Sequence, residues 1–156
     1  MVTVSVCMIT YRHEAFIGQV IESVLMQQTD FAVELVIGED CSSDATRAIA
    51  QDYERRYPAQ VRVLTQAIRL GIMPNLMATM AACTGEFVAF LEGDDYWTDP
   101  TKLQRQVEAL RTNADCAMCF HDAEAFNDSP RGDAWKFSEK FTRLSTRNGD
   151  ALYCYM

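Results

Sequence analysis

The stretch Phe87–Trp97, FVAFLEGDDYW, places the tightest limit on what this chain can fold into. Phe87 to Leu91 form an apolar run rich in strand formers, which passes without a polar break into Glu92-Gly93-Asp94-Asp95 and then two large aromatics. A continuous apolar run of this length reads as a strand covered on both faces, as in a parallel sheet. That predicts an α/β chain with helices lying on the sheet faces. Gly93 is read as the residue that lets the chain turn where the strand ends.

The rest of the chain follows the same alternation. Val2–Thr10 (VTVSVCMIT) is β-branched and apolar and reads as a first strand, followed by the polar loop Tyr11-Arg12-His13-Glu14. Phe16, Ile17, Val20, Ile21, Val24 and Leu25 then recur at helical spacing, predicting a helix to about Gln28. Phe31–Glu39 is a second strand that exits into the acidic, small-residue turn Glu39–Asp44. Ser42 or Ser43 is expected to cap the next helix, with Asp44 in its first turn. This helix carries Ala45, Ile49, Ala50 and Tyr53 on one face. It should end near Tyr57-Pro58, because the residue before proline is pushed out of helical geometry. Val61–Leu64 is a short third strand and Gln66–Met73 a loop containing Arg69 and Gly71. Pro74 suits the first turn of a helix to about Cys83, and Gly85 the position past its end. After the Phe87–Leu91 strand, Asp99-Pro100 opens a helix through Leu103, Val107 and Leu110. Asp115–Ala125 begins as a fifth strand, and beyond Phe126 turn residues dominate. The order β-α-β-α-β-α-β-α-β predicts a mostly parallel sheet in one domain.

Composition narrows the partners. The 156-residue chain is large enough for a real core, and 49% hydrophobic with 23% charged residues is the profile of a soluble globular protein. A net charge of −8 argues against nucleic acid as the main partner, since phosphate backbones select basic faces. It leaves room for a nucleotide whose diphosphate is neutralised locally. Met1-Val2-Thr3 leads straight into the strand pattern, with no reading of a signal peptide, and no apolar run approaches membrane-span length. The six cysteines lie in apolar segments and read as buried reduced thiols. Cys116 and Cys119 have C-x-x-C spacing, but no second ligand pair follows and the segment reads as a strand.

Several chemistries are absent from the sequence. There is no G-x-x-x-x-G-K-[ST] loop, no G-x-G-x-x-G after the first strand and no G-x-S-x-G elbow. With only His13 and His121, a hydrolase triad has little material. What recurs is acid at strand ends: Glu14 after the first strand, Asp40 and Asp44 after the second, Glu92, Asp94 and Asp95 after the fourth. In a parallel sheet these ends share one edge, where ligands bind. Three carboxylates within four residues repel one another unless solvent screens them or a cation sits among them. A carboxylate at that edge can accept from a base N–H or grip a ribose, and another can hold Mg²⁺ or Mn²⁺ against phosphate oxygens. Solvated turn residues are the plain alternative, since aspartate is common in turns.

The blocks VSVCMITYRHEAFI, LVIGEDCSSDAT, GIMPN and TGEFVAFLEGDDYWTDPTKLQRQV, in this order over roughly residues 3–110, resemble the nucleotide-sugar domain of the inverting GT-A glycosyltransferases of family 2. The resemblance implies a Rossmann-like, three-layer α/β/α fold. It implies nucleotide contacts at Thr10, Tyr11 and Glu14, base recognition by Asp40 with Asp44 nearby, and a basic contact from Arg69. The family's D-x-D metal motif corresponds to Glu92-Gly93-Asp94, with Asp95 adjoining. Glutamate at its first position departs from the usual aspartate, and spacing leaves open whether Asp94 or Asp95 takes the metal while the other takes the ribose.

The implied function is metal-assisted transfer of a sugar, with inversion, from a nucleotide-diphosphate donor, most often a UDP-sugar, to a hydroxyl of a saccharide or lipid-linked saccharide. Inversion needs a general base. The family carries it downstream, so the chain is expected to be truncated on its acceptor-binding side. His121 is the weak candidate within it, and Tyr96 and Trp97 are read either as flanking the sugar or as core. The family's habits imply the cytoplasm, including the membrane face, and a role in surface polysaccharide synthesis. Two other readings stand beside this one. The first is a donor-binding module inactive alone. The second is a nucleotidyltransferase, for which TYRHE lacks a Gly-rich triphosphate loop.

Overall fold

The computed structural model describes residues 1–125, together with the backbone of 135–136 and 152–155. The chain divides into two compact units, Met1–Gln104 and Arg105–Met156. The first holds a four-stranded parallel sheet built from β1 (Val2–Thr10), β2 (Ala32–Glu39), β3 (Val61–Thr65) and β4 (Phe87–Glu92), in the order β3-β2-β1-β4. Helices α1 (Ile17–Leu25), α2 (Thr46–Arg56) and α3 (Ile72–Ala82) make the crossovers. Helix α4 (Lys102–Thr112) follows β4.

The two central strands form the core. Every residue from Val4 to Met8 and from Leu35 to Ile37 is buried, so both faces of β1 and β2 are covered. Side chains alternate between the faces, and parallel register puts Ser5, Cys7 and Ile9 on the same side as Glu34, Val36 and Gly38. Helix α3 packs on that side. A Cβ at Gly38 would lie 1.9 Å from Thr79 Oγ1 and 3.0 Å from Asn75 Oδ1, so only glycine lets α3 approach this closely. Asn75 Nδ2 also donates to the Gly38 carbonyl at 2.8 Å. Helix α1 buries Ile17, Val20, Ile21 and Val24, and each such aliphatic side chain contributes about 1.5–3 kcal/mol.

Four expectations are corrected. First, β4 is an edge strand, with Val88 38% and Phe90 60% exposed, rather than covered on both faces. The register places these two beside Ser5 and Cys7, on the α3 side, whereas α3 contacts β1 and β2. Second, α1 stops at Leu25 rather than near Gln28. Gln27 Nε2 donates to the Asp99 carbonyl at 2.9 Å, and Gln28 N to the Pro100 carbonyl at 2.7 Å, which turns the chain away from its helical axis. Third, neither serine caps α2: the N-cap is Ala45, with no side-chain cap bond. Cys41 adopts φ 58°, and the Ser42 hydroxyl instead accepts from Arg12 N at 3.0 Å. Fourth, Gly85 is not a left-handed helix cap. A Cβ there would lie 2.6 Å from Ser5 N, so its role is close approach to β1.

The fifth strand also departs from expectation. In the second unit, β5 (Met118–His121) pairs antiparallel with β8 (Leu152–Tyr155), and β6 (Glu124–Ala125) with β7 (Trp135–Lys136), outside the parallel sheet. The turn-rich stretch 126–134 lies outside the described residues. Tyr57 ends α2 as Tyr57-Pro58 predicts, and Pro74 sits in the first turn of α3. Among the described residues, Cys7, Cys41, Cys83, Cys116 and Cys119 are free thiols.

Candidate functional site

The carboxyl ends of β1, β2 and β4 lie side by side, because Thr10 registers with Glu39 and Ile9 with both Gly38 and Glu92. The loop after β1 is bound along its length to the loop after β2. Arg12 N donates to Ser42 Oγ, His13 N to Thr46 Oγ1 at 2.8 Å, and Glu14 N to Asp44 Oδ2 at 3.4 Å. Arg12, at φ 60°, and Cys41 are the non-glycine residues in left-handed geometry among those described. Such backbone strain concentrates where structure around a site over-determines it.

Each predicted site residue has a definite place. Thr10 is 3% exposed, with its hydroxyl 3.3 Å from His13 Nδ1. The Arg69 guanidinium lies over the Tyr11 ring, 3.9 Å from its centroid, so two predicted contacts from separate loops come together. Glu14 is exposed, and its carboxylate accepts from Ala45 N at 2.8 Å, serving the N-terminus of α2. Asp44 holds a lowered carboxyl pKa. Partial burial would raise it, but hydrogen bonds from Thr46 and from Glu14 N outweigh that cost.

Asp40 is 4% exposed, and its two oxygens accept from Leu70 N at 2.6 Å and Gly71 N at 2.9 Å. It ties down the loop that carries Arg69. Its neighbour Glu39, to which the sequence reading gave no site role, is fully buried. Glu39 Oε2 accepts from Arg47 Nε at 2.5 Å and Oε1 from Ser42 N at 2.6 Å. That hydrogen bond raises the Arg47 pKa. The sequence signal for this pair was a basic residue at the second position of α2.

At the acidic turn, Asp95 N donates to the Glu92 carbonyl at 3.2 Å. Asp94 Oδ2 lies 3.8 Å from His13 Nε2, close to it but beyond hydrogen-bond length. Burial raises the Asp95 carboxyl pKa, the Asp94 charge adds to the rise, and His13 opposes it. Gly93 serves close packing here rather than an unusual turn angle: a Cβ would lie 2.4 Å from Thr10 Oγ1 and 2.6 Å from His13 Nδ1. Trp97 is 6% exposed with Lys102 Nζ 4.0 Å from its ring centroid, which assigns it to packing. In the second unit, His121 Nδ1 lies 2.6 Å from the Asp122 carbonyl.

The oxygen donors at this turn suit a hard cation. Among the described residues, no three His, Cys, Asp or Glu side chains converge to hold one unaided. The arrangement fits an ion held by one or two carboxylates and completed by phosphate oxygens, the usual mode for Mg²⁺.

The family model described as Glycosyl transferase family 2 matches residues 5–155. The uncharacterised protein Rv1520 of Mycobacterium tuberculosis is 35% identical over 150 residues, which is 92% of this chain and 43% of that protein. An uncharacterised glycosyltransferase of Nostoc sp., alr2836, is 33% identical over 157 residues, 97% of this chain and 48% of its own length. The chain therefore spans less than half the length of these relatives. Among solved structures, TarS of S. aureus in complex with UDP matches with a TM-score of 0.63 at 27% identity, covering 72% of this chain and 33% of that one.

Proposed function

The chain belongs to glycosyl transferase family 2 and has its GT-A α/β fold, and on that premise we propose that Met1–Gln104 binds the nucleotide-diphosphate sugar donor of an inverting glycosyltransferase. The observation that carries this reading is the Tyr11–Arg69 stack, set at the same sheet edge as Asp94. It presents a cation and a flat aromatic face where a nucleotide would lie. UDP is the nucleotide proposed, in keeping with the TarS complexes with UDP and UDP-GlcNAc.

In this reading, Tyr11 and Arg69 pack against the nucleoside and its phosphates. Thr10 closes the floor. Asp40 acts first by holding Leu70 and Gly71, which presents Arg69; its remaining lone pairs are the proposed acceptors for the base edge. Glu14 acts indirectly, by fixing the loop after β1 to α2. Asp94, with Asp95 and Glu92, is the proposed holder of a divalent cation, Mn²⁺ or Mg²⁺. When bound there, the ion would offset the charge that develops on the departing nucleoside diphosphate. The acceptor is proposed to be a saccharide or lipid-linked saccharide hydroxyl, deprotonated by a base outside this loop cluster.

Calorimetric titration of UDP with and without Mn²⁺ tests the proposal. Tight binding that weakens when the metal is chelated is the expected result. Equal affinity in both conditions, or no binding to any nucleoside diphosphate, would overturn it.

A further inference from the structure

We infer that His13 is the positioning residue for Asp94: its imidazole, braced by Thr10 and closed over by Gly93, aims an N–H at the carboxylate proposed to hold the cation. This assignment rests on the donor-site reading above and deepens it.

The backbone of His13 is held on both sides. Its N–H donates to the buried Thr46 hydroxyl at 2.8 Å, and its carbonyl accepts from Phe16 N and Ile17 N, each at 2.9 Å, at the start of α1. The backbone that carries the ring is therefore anchored to α1 and α2. Its two nitrogens have different partners, the Thr10 hydroxyl on Nδ1 and the Asp94 carboxylate on the Nε2 side. The assignment takes the tautomer with hydrogen on Nε2, the nitrogen on the Asp94 side. Nδ1 then accepts from the Thr10 hydroxyl, so the second nitrogen's partner fixes the first nitrogen's proton.

Gly93 supplies the independent observation. Any side chain at 93 would put a carbon within 2.7 Å of Thr10 Oγ1, Thr10 Cβ and His13 Nδ1. The glycine lets the acidic turn settle onto the Thr10–His13 pair, which sets the height of Asp94 above the sheet edge. At 3.8 Å, Asp94 retains freedom to shift while staying within the field of the imidazole.

Residues that orient a metal's ligand typically change metal affinity by about 10–100-fold when removed. The test is calorimetric titration of UDP, with and without Mn²⁺, into the wild-type chain and the His13→Ala, His13→Gln and His13→Asn variants, each checked by thermal melting. The Gln amide nitrogen reaches the position of Nε2, whereas that of Asn reaches only that of Nδ1. Expected is a roughly tenfold loss of the Mn²⁺-dependent gain in UDP affinity for Ala and Asn. Gln should keep most of that gain, and Mn²⁺-free UDP affinity should stay unchanged throughout. If wild type gains from Mn²⁺ and His13→Ala gains equally, the His13 assignment is overturned and the donor site stands. Equal losses in Gln and Asn, or a parallel fall in metal-free affinity, would show a role in shape alone and overturn it too. Should wild type itself show no gain, the donor-site reading fails and takes this assignment with it.

Discussion

The Arg69 guanidinium lies 3.9 Å from the centroid of the Tyr11 ring, joining the loop after β1 to the loop that leads into α3. Both loops start from the carboxyl edge of the same sheet, so the stack is a cross-brace as well as a surface. A cation–π pair of this kind is worth about 0.5–1 kcal/mol when exposed and about 2 when desolvated. Bound nucleotide would desolvate it. Tyr11→Ala and Arg69→Ala are each expected to weaken UDP binding by roughly fivefold to thirtyfold on that scale. The double variant should lose less than the sum, because each single change already removes the pair. Strict additivity in a calorimetric cycle would mean the two side chains act separately.

Replacing Arg47 should be among the most damaging changes outside the ligand contacts. Glu39 is fully buried, and Arg47 supplies its ion pair while also donating to the Gln66 carbonyl at 2.8 Å. Removing one partner of a buried pair costs about 3–5 kcal/mol, since a charge is left without compensation. Arg47 is itself 34% exposed, so water can partly replace it and the lower end is expected, about 3 kcal/mol. Urea unfolding of Arg47→Ala should show a lowered midpoint at unchanged slope. A loss below about 1 kcal/mol would mean that Glu39 is solvated in the native state.

Glu34 predicts a pH dependence with a definite sign. Its pKa is lowered: burial alone would raise it, but hydrogen bonds from Ser5 and from Thr84, with the nearby Arg62, outweigh that cost. An acid depressed in the native state contributes stability above its unfolded pKa, about 4.3, which is lost as pH falls through the native value. Glu34→Gln should therefore be less stable than wild type at pH 7. The gap should close on acidification below pH 4, as followed by urea midpoints. A gap that stays constant with pH would assign the loss to packing.

Gly38→Ala should destabilise the sheet–helix contact by about 1–3 kcal/mol, the usual cost of overpacking. The new methyl would fall on the Thr79 hydroxyl and against Asn75, whose side-chain bond to the Gly38 carbonyl holds α3 to β2. Combining it with Thr79→Ala should recover part of the loss, because that removes the nearest atom. No recovery in thermal melting would place the strain in the backbone.

Much of this architecture was legible in the residues. The β1, α2, β3, α3 and β4 segments stand within a residue or two of where apolar periodicity and proline position put them. The acidic residues that follow the strands lie at one edge of the sheet, as the parallel order implies. Other features depended on partners far away in the chain. Gln27 and Gln28 look helical locally, but residues 99 and 100 capture them. Phe87–Leu91 looks like an interior strand, yet α3 sits over β1 and β2 and leaves one side of β4 exposed.

The sequence by itself determined the α/β alternation, the family and the loops that meet at one edge, because these follow from near-neighbour periodicity and ordered motifs. Only the tertiary structure decided what individual residues in those loops do. Asp40 became a clamp on Leu70 and Gly71, Ser42 a partner of the β1 loop, Gly93 a space for Thr10 and His13, and His13 the neighbour of Asp94. The physical reason is that hydrogen bonds and close contacts are set by the strand order β3-β2-β1-β4. That order brings the ends of β1, β2 and β4 together from distant parts of the chain.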